Sequence, residues 1–358
     1  MLKRSRLPWD TSHDTLQVLR RRRQDQSKPG ARTAGDHARV ALLVDGGGMR
    51  GVISAAMLSA LDDLGYKNAV DIVYGYSAGA INAAYFIAGE MWYPLSIYYD
   101  NLASTSFVDF KRSLRRQPIM SLSFASDVVA GELKPLDYDA IRSSAQPLVV
   151  AITMVDTQDT ELVRDFRSNQ DLKEAIVASC WLPLANLGTA SFRGRPAIDG
   201  GVLMPSMLEA AENDNCTHVL VLRTVPLGNR RKPGALFRSV ASRYLDRLEP
   251  GLGAAYLRAW AGLSSRAERR RAARALQVGL LPQHTPVPMS EMDPAKLLRA
   301  AREAYSAMYA LLEQIPFADV LDGLVEVVPR LTVRLKERAA NARPDSETSG
   351  FGTLPVAH

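Results

Sequence analysis

The segment Val40-Ala41-Leu42-Leu43-Val44 is a continuous apolar run that passes directly into Asp45-Gly46-Gly47-Gly48-Met49-Arg50-Gly51. A strand with apolar side chains on both faces has to be covered above and below, which is the situation of a parallel sheet between helical layers. Helical spacing follows at once. Ile53, Ala56, Met57, Ala60, Leu61 and Leu64 recur at helical intervals, and Gly65 stands where a helix ends on a left-handed glycine.

The strand, turn and helix unit then repeats. Asp71 to Tyr74 reads as a second strand, entering Gly75-Tyr76-Ser77-Ala78-Gly79 and a small-residue helix from Ala78. Further strands are predicted at Pro147–Val155 and His218–Thr224, with a helix at Asp171–Cys180 and a short hairpin near Asp156–Asp165. Strands alternating with helices predict an α/β domain of three layers, α/β/α, around a mainly parallel sheet. After Pro226 the chain turns Arg-rich and helical, returns to a short strand at Leu276–Leu281, and forms another helix at Ala295–Leu312. The expected organisation is a basic N-terminal arm (1–38), a catalytic core (39–226), a basic helical insertion or lid (227–275), a completing segment (276–336) and a disordered tail (337–358).

Several broad classes are excluded at this level. Only Cys180 and Cys216 occur, too few for a disulfide framework and without the spacing of a zinc site, so a reducing cytoplasm is the expected location. The N-terminus lacks the apolar run of a secretory signal. The most apolar stretch, Val70 to Tyr99, is interrupted by Gly75, Ser77, Gly79, Asn82, Glu90 and Pro94, so it reads as buried strand and helix rather than a membrane span.

The net charge of +6 is concentrated. Residues 1–39 hold ten basic groups, including the run Arg20–Arg23, against four acidic ones, and residues 229–274 hold twelve against three. The first patch reads as a solvated arm. No aromatic residues interleave with it, which argues against nucleic acid, and weak contact with an anionic membrane surface is the expected partner. In 235–262, Leu236, Val240, Tyr244, Leu248 and Leu252 recur every four positions, as a core-packing stripe or a membrane-facing lid.

Two glycine-rich turns carry the chemistry. Gly75 to Gly79 matches G-x-S-x-G between a strand and a helix, the context a nucleophile elbow requires. Ser77 would project above the sheet, with Gly75 and Gly79 permitting the sharp turn. The loop Gly46, Gly47, Gly48, Met49, Arg50 and Gly51 offers unpaired N–H groups at a helix start, suited to an oxyanion. Arg50 would brace that loop through an ion pair or face solvent. The same letters satisfy G-x-G-x-x-G, so a nucleotide-cofactor enzyme is an alternative. It lacks the acidic residue expected at the end of the second strand.

Of the five histidines, His13 and His37 lie in the arm, His358 ends the chain, His218 begins a strand, and His284 is a weak candidate base. Ala197-Ile198-Asp199-Gly200-Gly201 instead sets an acidic residue at a tight turn, with Gly200 and Gly201 allowing close approach to another backbone. An aspartate can take a serine proton directly if held within hydrogen-bond reach. No HExxH, paired Cys/His or Asp-rich calcium loop occurs, so neither metal nor cofactor is expected.

Four motifs in order, Gly46–Gly51 with Arg50, Gly75–Gly79, Ala178-Ser179-Cys180-Trp181-Leu182-Pro183 and Asp199-Gly200-Gly201, make the chain resemble the patatin-like phospholipases. Tyr76 departs from the small hydroxyl residue common in that elbow, a change expected to be tolerated. The resemblance implies a Ser77–Asp199 dyad, an oxyanion hole from the Gly-rich loop, no metal, and phospholipid, lysophospholipid or other acyl-ester substrates. A catalytically silent, membrane-associated interaction protein is the second alternative.

Overall fold

The computed structural model describes residues 11–89, 91–226, 234–280 and 287–315. In chain order the elements are α1 (Asp14–Gln24), β1 (Val40–Val44), α2 (Gly51–Asp63), β2 (Ile72–Gly75), α3 (Ala78–Ala88) and α4 (Trp92–Ile97). They continue with α5 (Tyr138–Arg142), β3 (Leu148–Met154), β4 (Asp159–Val163), α6 (Asn169–Ser179), β5 (Ala190–Phe192) and β6 (Arg195–Asp199). The chain closes with α7 (Leu208–Asn213), β7 (His218–Leu222), α8 (Ala235–Leu248), α9 (Leu252–Gly262), α10 (Arg266–Arg274), β8 (Leu276–Val278) and α11 (Pro294–Glu313).

Helices flank a central sheet, the predicted mixed α/β architecture. Among the described residues the sheet runs β5-β6-β3-β2-β1-β7-β8, with β4 on β3 off this path. β1, β2, β3, β7 and β8 are parallel, and β1 lies between β2 and β7 with every residue buried. α2 is buried from Gly51 to Leu61 on all sides, because α11 packs along it. Gly65 takes φ +76° just past its end, as the sequence predicts.

The register of β3 decides where the site forms. Val150 pairs with Gly75 of β2 and with Val163 of β4, so those two strands lie on opposite sides of β3. Ile152 pairs with Glu161 of β4 and Asp199 of β6, so β6 lies on the side of β2. β2 and β6 therefore run toward each other along one edge of β3, and both end beside Ala151. β6 is antiparallel and forms a hairpin with β5 that the sequence pattern does not announce.

The N-terminal arm is not solvated as expected. α1 docks through Thr15, Leu16, Val18, Leu19 and Arg22, which share one face at helical spacing, so the arginine run divides between core and solvent. The Arg22 side chain is 0% exposed, and its guanidinium meets Asp36 and Asp71, both at 2.7 Å, and the carbonyls of Ala69 and Ala38. Asp71 also accepts from the Val40 N–H at 2.7 Å and pairs with Arg32. Arg20 caps the last carbonyls of α11 at Leu311 and Leu312, and Arg23 pairs with Glu313.

The stripe predicted in 235–262 also divides. Ala241, Leu245, Leu252 and Tyr256 pack on Val155, Ile198 and Val202, whereas Leu236 and Val240 stand exposed. Steps of four residues drift by about 40° each at 3.6 residues per turn, so such a stripe winds off any single face. The expected tail 337–358 and the candidate base His284 lie outside the described residues. Among those described, no helix is long and apolar enough to cross a membrane.

Candidate active site

The elbow is built by close approach. Ser77 takes φ +54° and ψ −139°, a strained conformation for a residue with a Cβ. A Cβ on Gly75 would fall 2.6 Å from the Gly79 carbonyl oxygen, and one on Gly79 would collide with the Val44 carbonyl. The strain is held from outside the turn. The Ser77 N–H donates to the Ser179 carbonyl and lies 3.0 Å from the Ser179 Oγ, while that hydroxyl donates to the Ala151 carbonyl at 2.7 Å.

Asp199 arrives at the end of β6. Its carboxylate accepts the Gly201 N–H at 2.8 Å and lies beside the Ser77 hydroxyl. The turn after it needs its glycines: a Cβ at Gly200 would collide with the Ala151 carbonyl, and one at Gly201 would press on the Tyr76 ring at 2.8 Å. Both side chains are withdrawn from water, Ser77 at 9% and Asp199 at 3% exposure. Burial pushes the Asp199 carboxyl up to about 6, partly opposed by the Ser77 hydroxyl and the Gly201 N–H.

The Gly-rich loop lies over the serine. A Cβ at Gly46 would fall 2.6 Å from the Ser77 Cβ, while Gly47 and Gly48 take φ +142° and +59°. Its six predicted oxyanion residues are not equivalent. The Met49 N–H donates to the Met289 carbonyl at 2.9 Å, Arg50 N–H to Gly47 O, and Gly51 N–H to Gly48 O and Met49 O. Among the described residues the Gly46, Gly47 and Gly48 N–H groups have no partner. Thr224 Oγ1 donates to the Gly46 carbonyl at 2.6 Å, and Arg223 pairs with Asp45 at 3.0 Å.

Arg50 meets neither expectation. It is partly buried against Gly47, its Nε lacks a partner, and no ion pair is formed to it among the described residues. Burial pulls its guanidinium below the usual range, with Tyr76 and Asp45 opposing.

Two further residues join the site. Tyr76 is wedged between the two glycine turns, its ring against the positions a Cβ would take at both Gly46 and Gly201. Ser179 bridges Ser77 and Ala151. The only sequence signal for Ser179 is its place in Ala178–Pro183; for Tyr76 it is the departure from a small residue. His13 caps α1 and His218 meets Thr217, so neither approaches Ser77. Among the described residues no group of His, Cys, Asp and Glu forms a metal cluster.

A serine elbow under a glycine-rich loop, in a mainly parallel sheet whose next antiparallel strand ends on an Asp-Gly-Gly turn, is the arrangement of the patatin-like class. Residues 42–211 match the family model for patatin-like phospholipase, and the chain carries a patatin-like phospholipase domain there. The chain is 26% identical over 189 residues to the uncharacterized protein YjjU of Escherichia coli (strain K12), covering 52% of each. It is 29% identical over 136 residues to the Homo sapiens 1-acylglycerol-3-phosphate O-acyltransferase PNPLA3, covering 37% of this chain and 27% of that one. It thus spans about half the length of the first relative and about a quarter of the second. Among solved structures, VipD from Legionella pneumophila aligns with a TM-score of 0.42 at 14% identity, over 77% of this chain and 67% of that one.

Proposed function

We propose that this protein hydrolyses acyl esters of phospholipids or lysophospholipids through Ser77 as nucleophile and Asp199 as its base. The observation that carries this reading is the Ser77 hydroxyl beside a carboxylate buried at the joint ends of β2 and β6. As Ser77 Oγ attacks the ester carbonyl, Asp199 takes its proton and returns it to the departing alcohol. The Gly46, Gly47 and Gly48 N–H groups are the loop donors left for the oxyanion. Water, deprotonated by Asp199, then releases the fatty acid and restores the serine.

Lipid as substrate is supported by the family and by an apolar cavity between α3, α4 and α6, whose lining stops short of Ser77 and Asp199. Ile81, Ile97, Tyr98, Leu102, Ile176 and Cys180 line it, and Cys180 adjoins the Ser179 that holds Ser77. The glycine loop is less suited to a nucleotide. β2 ends in the elbow, and Asp71 at its other end is committed to Arg22, Arg32 and Val40.

The test is labelling with a serine-directed fluorophosphonate and peptide mapping, alongside fatty-acid release from phosphatidylcholine and its lyso form. Adduct on Ser77, with labelling and release both lost in Ser77→Ala, is the expected result. Adduct on another residue, or full release by Ser77→Ala, overturns it.

A further inference from the structure

Between α4 and α5 the chain leaves the body as a short antiparallel stem. The Asp109 N–H donates to the Ile119 carbonyl at 3.0 Å and Ser121 N–H to Phe107 O at 2.9 Å, around a Val108–Met120 bridge. The base of the stem belongs to the site: Ile119 N–H donates to Ala185 O at 2.8 Å, and the Met120 methyl lies beside Gly48. From it projects a single 3-10 segment, Phe110–Arg115, whose Lys111 N–H is capped by Asp109.

The surface of this tip is unusual. Leu114 is 87% and Phe110 57% exposed, and Leu187, two residues past the carbonyl that anchors the stem, is 47% exposed. Lys111, Arg112, Arg115 and Arg116 surround them, and among the described residues no carboxylate pairs with any of the four. Asp109 already serves as the cap. Arg112 donates to the carbonyls of Thr105 and Ser106, which fixes the turn.

Large apolar side chains held in water among uncompensated cations gain nothing from the fold itself. They gain from a medium that is apolar within and negatively charged at its border. We propose that Phe110–Arg116 is an interfacial anchor: Phe110 and Leu114 enter an anionic lipid surface while the four cations meet its headgroups. The stem then sets the Gly48 side of the site against the bilayer. This inference concerns binding and stands whether or not Ser77 is the nucleophile.

The test is flotation of the full chain with phosphatidylcholine vesicles, with and without phosphatidylglycerol, in a Ser77→Ala background so that no lipid is consumed. Binding should require phosphatidylglycerol. Lys111→Ser with Arg115→Ser should weaken it by about five-fold per cation, and Phe110→Ser with Leu114→Ser by more than about ten-fold. Unchanged thermal midpoints certify the fold of each variant. Leu236→Ser with Phe237→Ser, which removes the two most exposed apolar residues of α8, should leave binding intact. Tryptophan introduced as Leu114→Trp should be quenched by brominated acyl chains. Binding indifferent to the tip variants, lost instead with the α8 variant, or an unquenched Trp on bound vesicles would overturn the proposal.

Discussion

Gly75 and Asp199 stand on the same edge of β3 two positions apart, Gly75 opposite Val150 and Asp199 opposite Ile152. The serine and its carboxylate partner therefore come from strands that approach head to head, with the Ala151 carbonyl between them holding Ser179. The closeness of the two side chains is a product of sheet register, so changes to the register or its braces act on it directly.

Hydrolysis should depend on pH through Asp199. The carboxylate must be ionised to accept the serine proton, so kcat/KM should rise with pH around an apparent pKa of about 6. A profile with no rise near pH 6 would remove Asp199 from the proton transfer.

The same carboxylate costs stability when ionised. Its folded pKa is raised from 3.8 to about 6, so the folded state binds the proton more tightly than the unfolded chain does. Its stabilising contribution is full below the unfolded value and is lost as pH rises through about 6, by about 3 kcal/mol in all. Asp199→Asn should be inactive yet more stable than the parent at pH 8, with the difference closing below pH 4. Urea melts at the two pH values measure it.

Ser77→Gly separates strain from catalysis. A glycine tolerates φ +54° and ψ −139° without the Cβ clash, so the variant should gain about 1 to 2 kcal/mol while losing hydrolysis by about 10⁴-fold or more. Loss of stability would show that the serine conformation is relaxed.

Ser179→Ala removes a hydroxyl bonded to Ala151 and adjacent to the Ser77 N–H, leaving the Ala151 carbonyl without this buried donor. Destabilisation of about 1 to 3 kcal/mol is expected. The fluorophosphonate labelling rate should fall even at temperatures where the variant is fully folded, because the elbow loses its brace. Unaltered labelling would limit Ser179 to a structural part.

Arg22 lies at the opposite end of β1 and β2 from Ser77. Arg22→Met leaves Asp36 and Asp71 without their buried partner and should cost about 3 to 5 kcal/mol. Labelling of Ser77 in the folded fraction should match the parent. Thermal unfolding and labelling together decide it.

Much of this was legible in the sequence where local pattern and tertiary demand agree. The Val40–Val44 run, the Ile53-to-Leu64 spacing and the two glycine turns announce β1, α2 and the elbow because each is fixed within a few residues. β5 and β6 were not legible, since Ser191, Arg193, Arg195 and Pro196 give no apolar alternation and the pairing partner lies some forty residues earlier in β3. Composition cannot tell which of four successive arginines faces inward, so the buried role of Arg22 is not legible in the run Arg20–Arg23. Ser179 and Met289 contribute through long-range contacts to the elbow and the loop, which no spacing rule anticipates.

The loop above Ser77 bears on where the folded unit around it ends. The family match closes at residue 211, yet Gly46 is held by Thr224, Asp45 by Arg223 and Met49 by Met289. A fragment trimmed to the matched region would retain Ser77 and Asp199 but leave the covering glycines free to drift. The smallest unit that keeps the loop in place is therefore set by what tethers it, and it reaches at least to Met289.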